Sequence, residues 1–207
     1  MRKTTTFLFL LLFTASPSFA QPTAPTLRLP EGLRPRGYAV HLKLVPGQTS
    51  FTGDVDIELQ VDKPTDVIWL NGSSDLKVEE VSVSQPPRPA AAPSANLPGG
   101  NDFLGFRLAT PLAVGSAHLH IRYLGHLLRH EGVGIFDEHD GNDDYIFSDF
   151  EPSDARRAFP CFDEPSYKAP VQFTLDVPKE QLAATNAPIE SEQPLPGGLR
   201  RVVFRRT

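Results

Sequence analysis

Apolar residues fall on every second position through much of the chain, beginning with Tyr38-Ala39-Val40-His41-Leu42-Lys43-Leu44. A period of two is that of a half-buried strand. The run Phe51 to Val61 repeats it more cleanly. Val55, Ile57, Leu59 and Val61 share one face, and Asp54, Asp56, Glu58 and Gln60 share the other. That alternation predicts a long antiparallel strand with one wet side. Further strands are predicted over 66–70, 76–83, 103–108, 117–124, 171–177 and 199–204, with turns at Asn71-Gly72 and Gly99-Gly100. Residues Gln21 to Arg36 are proline-rich and aperiodic, which predicts an irregular lead-in, and Gln85 to Pro93 reads as a stiff surface loop. About nine short strands with no long helical period give an all-β fold class. The expected form is a bent β-sandwich or saddle of mostly antiparallel strands, with one short helical turn near 153–158.

The first residues do not fit this pattern. Arg2 and Lys3 precede an apolar run from Phe7 to Phe13, and Ser18-Phe19-Ala20 has the small-x-small form of a cleavage site. Residues 1–20 therefore read as a secretory signal peptide, too short in its apolar part to span a bilayer. Residues 21–207 form one domain, exported to a periplasmic or extracellular location, with no transmembrane segment in the mature chain. The formal net charge is −5 at pH 7, and no basic cluster is long enough to grip a phosphate backbone, so nucleic acid is not an expected partner. The basic end, RRVVFRRT, alternates like a strand. The single cysteine, Cys161, excludes an internal disulfide and reads as a small buried hydrophobe.

Metal chemistry finds little support. His118 and His120 share a strand face, which is equally the pattern of a solvated sheet surface. His126 and His130 have the i, i+4 spacing of a zinc helix, but Leu127 stands where a catalytic glutamate would follow, and flanking glycines disfavour a helix. The acids Asp137, Glu138, Asp140, Asp143 and Asp144 read as an exposed loop whose spacing misses a twelve-residue calcium loop. No nucleophile elbow or phosphate-binding glycine loop occurs. No catalytic residue and no metal ligand is assigned to this chain.

The stretch 145–168, YIFSDFEPSDARRAFPCFDEPSYK, concentrates aromatics, acids, prolines and Cys161. Ser153-Asp154 reads as the N-cap of a short helix. Pro160 ends that helix and Pro165 forces another bend. Glu151, between Phe150 and Pro152, is a carboxylate on a rigid turn. Read from the residues alone, it either meets a cation or pairs with Arg156 or Arg157 as a structural ion pair.

This stretch resembles the signature of the aminopeptidase N family of zinc metallopeptidases, a Thr-Gln-Phe-Glu-Pro-x-x-Ala-Arg…Pro-Cys-Phe-Asp-Glu-Pro run. LRPRGYAVHLKL, FTGDVDIELQV, HLHIRYLGHL and VQFTLDVPKEQLAATNAPI are similar to the family's neighbouring strands, so the resemblance covers nearly all of 21–207. It implies an N-terminal β-saddle packed against a thermolysin-like catalytic zinc domain. Glu151 would bind the free α-amino group of a peptide substrate, and Arg156, Pro160, Asp163, Glu164 and Pro165 would frame the turn, with Phe150 and Pro152 flanking the anchor. Where the family has Thr-Gln, this chain has Ser148-Asp149. Asp149 would border the first substrate pocket and shift preference toward basic side chains.

The family's Gly-x-Met-x-Asn loop and His-Glu-x-x-His helix do not occur in the 207 residues. The expectation is the substrate-anchoring part of an exported zinc aminopeptidase, ending near the close of its N-terminal domain. The zinc would belong to the intact enzyme, not to this chain, and the chain alone would be inactive. The alternative is a stand-alone, non-catalytic β-sandwich that binds peptides or partner proteins.

Overall fold

The computed structural model describes residues 22–129 and 131–207. The signal-peptide reading of 1–20 lies outside the described residues, and so does His130 of the His126/His130 pair.

Thirteen strands are described. They are β1 (Leu33–Lys43), β2 (Ser50–Val61), β3 (Thr65–Asn71), β4 (Lys77–Gln85), β5 (Arg88–Ala91), β6 (Ala95–Leu97), β7 (Phe103–Leu112), β8 (Gly115–His126), β9 (Gly134–Asp140), β10 (Asp143–Asp149), β11 (Val171–Pro178), β12 (Ile189–Leu195) and β13 (Leu199–Phe204). One four-residue helix, α1 (Ala155–Ala158), joins β10 to β11. The large sheet runs β12-β13-β11-β1-β2-β8-β4-β5, the small one β3-β7-β6, and β9-β10 form a separate hairpin. All pairings are antiparallel except β1 with β11. No helix among the described residues is long and apolar enough to cross a membrane.

The alternation read from sequence is the alternation of burial. Val55, Ile57, Leu59 and Val61 of β2 are buried, and Ile121, Leu119 and Ala117 of β8 lie in register against the first three. The small sheet adds Ile68, Trp69, Leu70 and Phe106, and one continuous apolar cluster joins the two sheets. Trp69 is thus core, as its apolar setting predicts. The opposite face of the large sheet is wet. There His120 pairs with Asp56 at 3.0 Å, and His41 meets Asp176 at 2.9 Å. Burial pushes the Asp176 carboxyl upward, but hydrogen bonds from Arg201 and His41 outweigh it and hold the group below the ordinary carboxylate range. His118 and His120 belong to this solvated face.

Several expectations need correction. Strand β1 starts at Leu33, inside the supposed lead-in, because the register shift between Pro35 and Gly37 absorbs the proline. The supposed loop at 85–93 contains β5, paired to β4. The acidic loop is a hairpin instead. Gly141, at φ +66°, turns the chain, and Tyr145 and Phe147 share the outward face of β10 with Asp143 and Asp149. Strand β12 has no buried residue, so no hydrophobic period announces it. It is held by pairing with β13.

Three glycines share one task. Gly53 lies opposite Tyr123, Gly125 opposite Phe51, and Gly105 opposite Trp69. A Cβ at these positions would come within 2.3, 2.3 and 2.4 Å of the facing ring. Each aromatic therefore folds over a bare backbone, and any side chain there overpacks the core. Gly53→Ala is expected to cost about 1–3 kcal/mol, lowering Tm by roughly 2–4 °C for each of those kcal/mol. An unchanged thermal melt would show that the Tyr123 ring moves aside freely.

Candidate functional site

The stretch between β10 and β11 is mostly irregular, yet its middle is buried, with Ala158, Phe159, Pro160, Cys161 and Phe162 all inside. Buried backbone groups need partners, and three side chains and one bridge supply them. Asn71, 1% exposed, exchanges backbone hydrogen bonds with Cys161 at 2.8 and 3.0 Å. Its Oδ1 accepts the Asp163 amide at 2.9 Å. Tyr123 Oη donates to the Ala158 carbonyl at 2.9 Å, and Tyr38 Oη accepts the Phe162 amide at 3.1 Å. Tyr38 and Tyr123 come from the large sheet and Asn71 from the small one, so the turn ties both together. Burial drives the ionisation of both tyrosines well upward, so each hydroxyl keeps its proton. The Cys161 thiol is pushed up by burial and by neighbouring Asp163, and it is a core hydrophobe.

The frame around the turn is ionic as well as apolar. Arg156 Nε donates to Asp163 Oδ2 at 2.9 Å, and its Nη2 donates to the Asp163 carbonyl at 3.1 Å. The same Oδ2 accepts the Arg156 amide at 3.3 Å. The helix start is therefore capped from downstream. The expected Ser153-Asp154 cap is not made. Asp154 occupies the N-cap position but has no side-chain capping bond, and its carboxylate pairs with Arg157 at 2.9 Å. With only four helical residues there are few amides to cap, and the guanidinium is the stronger partner. Glu164 accepts the Leu29 amide at 2.6 Å, fastening the N-terminal approach. Pro160 is buried, whereas Pro152 and Pro165 are exposed.

Glu151 and Asp149 lie on the outer side of this frame, and both are exposed. Glu151 does not pair with either arginine. Arg156 is taken up by Asp163 and, at 3.8 Å, by Asp102, and Arg157 by Asp154 and Glu131. That removes the structural ion pair left open by the sequence. The Asp149 Oδ1 accepts the Glu151 amide at 3.0 Å. Between them Phe150 turns inward, its ring edge-on to Phe159 with centroids 5.9 Å apart. Phe159 continues to Phe173 at 6.0 Å and Tyr38 at 6.3 Å. The Glu151–Pro152 peptide is cis. Beside the two acids, Tyr145 and Phe147 stack on the open face of β10, with centroids 6.1 Å apart. A polar cleft opens behind the turn, lined by Ser73, Asp75, Asp102, Asp154, Arg156 and Arg157. It does not reach Glu151.

Asn71 was legible only as a turn former, and its role as a clamp depends on a contact 92 positions along the chain. Asn71→Ala leaves the partly buried Asp163 amide without its acceptor. The expected loss is about 1–3 kcal/mol, seen as a lower urea midpoint with an unchanged m-value. An unchanged midpoint would mean that water replaces the amide oxygen at no cost.

Comparison with known proteins bears on the same stretch. A family profile described as the Peptidase M1 N-terminal domain matches residues 34–207. Aminopeptidase M1-A of Oryza sativa subsp. japonica is 35% identical over 190 residues, covering 87% of this chain and 21% of the relative. Aminopeptidase M1 of Arabidopsis thaliana is 34% identical, with 87% and 21% covered. Puromycin-sensitive aminopeptidase of Caenorhabditis elegans is 31% identical, with 85% and 19% covered. The chain spans about a fifth of the length of these curated relatives. An all-β fold built around the clamped turn, and a profile that runs through almost all of it, make this chain a member of the peptidase M1 N-terminal domain family.

Proposed function

We propose that this chain is the substrate-anchoring part of an exported aminopeptidase, with Glu151 binding the α-amino group of peptide N-termini. The observation that carries the reading is the state of Glu151. It is an exposed carboxylate on a braced turn, and its two nearest arginines in sequence are engaged elsewhere. A peptide α-amine titrates near ~8, so it is largely cationic at neutral pH. A carboxylate that meets it forms a charge-assisted hydrogen bond. Such a bond measures position from the free end of the substrate, which is what exopeptidase action requires. Asp149, exposed beside it, adds negative charge at the first side-chain pocket and favours basic residues there.

The partner in this reading is a catalytic zinc domain. The exposed rings of Tyr145 and Phe147 beside the anchor supply apolar surface for it. In a zinc peptidase the metal activates the attacking water. Among the described residues no three His, Cys, Asp or Glu side chains converge as a metal site needs. The described residues therefore do not fit a zinc site, and no step is assigned to them through the metal. In this reading the chain by itself is inactive, and zinc-dependent hydrolysis of an aminoacyl-anilide by the purified chain would overturn that.

In the intact enzyme, Glu151→Ala is expected to raise KM for peptides with free N-termini by about tenfold, the scale of one charge-assisted bond. An unchanged KM would sink the anchor. Asp149→Gln, measured in the same series, should lower the ratio of arginyl to alanyl kcat/KM. An unaltered ratio would remove Asp149 from the pocket.

A further inference from the structure

We infer that Asp149 is a positioning residue for Glu151, holding the turn that presents the anchoring carboxylate; this rests on the reading of Glu151 as amine anchor. The supporting geometry is local. Asp149 is the last residue of β10, fixed by pairing with Gly134. Its Oδ1 reaches forward to the Glu151 amide at 3.0 Å, closing a short loop over Phe150. A carboxylate accepting the amide two residues on is a recognised way of fixing a turn, and its charge strengthens the bond. Phe150 closes the loop from the other side through its ring contact with Phe159. The Phe150 carbonyl in turn accepts the Asp154 amide at 3.0 Å. A bond to the Glu151 amide and the packing and backbone bond of Phe150 thus brace the turn that carries the carboxylate.

The energetic consequence is pre-organisation. An exposed glutamate on a loose loop must lose both backbone and rotamer freedom to bind an amine, whereas here the backbone share is already lost on folding. The glutamine of the resembling signature carries one more methylene and no charge, so the same bond from it would close a wider ring and be weaker. Asp149 therefore has one oxygen engaged in the turn and the other open. The bracing role and the charge preference are separable because they depend on different properties of the group, an acceptor atom and a net charge.

Asp149→Asn keeps the acceptor and loses the charge; Asp149→Ala loses both. In this chain, the Glu151 amide proton, held by Asp149 Oδ1 at 3.0 Å, should exchange with solvent several-fold faster in Asp149→Ala, and Asp149→Asn should restore most of its protection. Equal exchange in the unsubstituted chain and in Asp149→Ala would overturn the inference. In the intact enzyme, Asp149→Ala should raise KM for alanyl substrates about fivefold, with kcat changed much less. Asp149→Asn should recover more than half of that loss. Equal losses in the two variants would mean that charge alone matters, and the bracing role would fall. If instead Glu151→Ala leaves KM unchanged, the anchor reading fails while the amide exchange at position 151 still reports whether the brace exists.

Discussion

An irregular segment can be buried only where its amides and carbonyls find partners, and that requirement shapes this domain. Just after α1, from Phe159 to Phe162, the chain runs through the protein interior without a ladder of its own. Asn71 answers for Cys161 and Asp163, Tyr123 for Ala158, and Tyr38 for Phe162. A lost partner in such a setting costs the full desolvation of the orphaned group, more than a typical hydrogen bond contributes when made. The polar residues that look out of place in an apolar core are therefore what allow it to contain a turn.

The glycine–aromatic pairs belong to the same arrangement. Tyr123 reaches the Ala158 carbonyl from β8 because Gly53, opposite it on β2, leaves room for the ring. Phe51 sits 6.3 Å from Tyr123 in an edge-on contact and lies over Gly125. Sheet packing thereby sets the direction of the hydroxyl, the hydroxyl sets the position of α1, and α1 precedes the Pro160 bend. Glu151 comes four residues before Ala155, the first residue of the helix. A change in the sheet interior would reach the exposed turn through this sequence of contacts.

Where burial alternates, the strands were legible, as in β2, β8 and β13. The prediction for β13 matches its bounds. Strands stabilised by pairing alone left no such mark. β12 is exposed along nearly its whole length, and the β9–β10 hairpin mixes acids with aromatics that face outward. The signature stretch was legible as a resemblance and as a cluster of unusual residues. Its internal wiring was not. Asp163 caps the helix in place of Asp154, and Arg156 and Arg157 turn away from Glu151, choices between acids at similar sequence distance that only three-dimensional packing settles.

The distribution of charge around the turn follows from that wiring. Between Gly132 and Ala155 the sequence carries no lysine or arginine, while Asp137, Glu138, Asp140, Asp143, Asp144, Asp149, Glu151 and Asp154 all fall there. Some of this charge is neutralised from outside, Asp137 by Arg129 at 3.0 Å and Asp154 by Arg157. Those pairs lie toward the body of the domain and leave the outer face of the hairpin and turn negative. Over a Debye length of about 8 Å at physiological salt, such a face raises the local concentration of cations. A free peptide amine is a cation, and a blocked one is not. In the proposed reading the field and Glu151 would therefore discriminate in the same direction, the field by attracting the charged end and Glu151 by forming a directed bond to it.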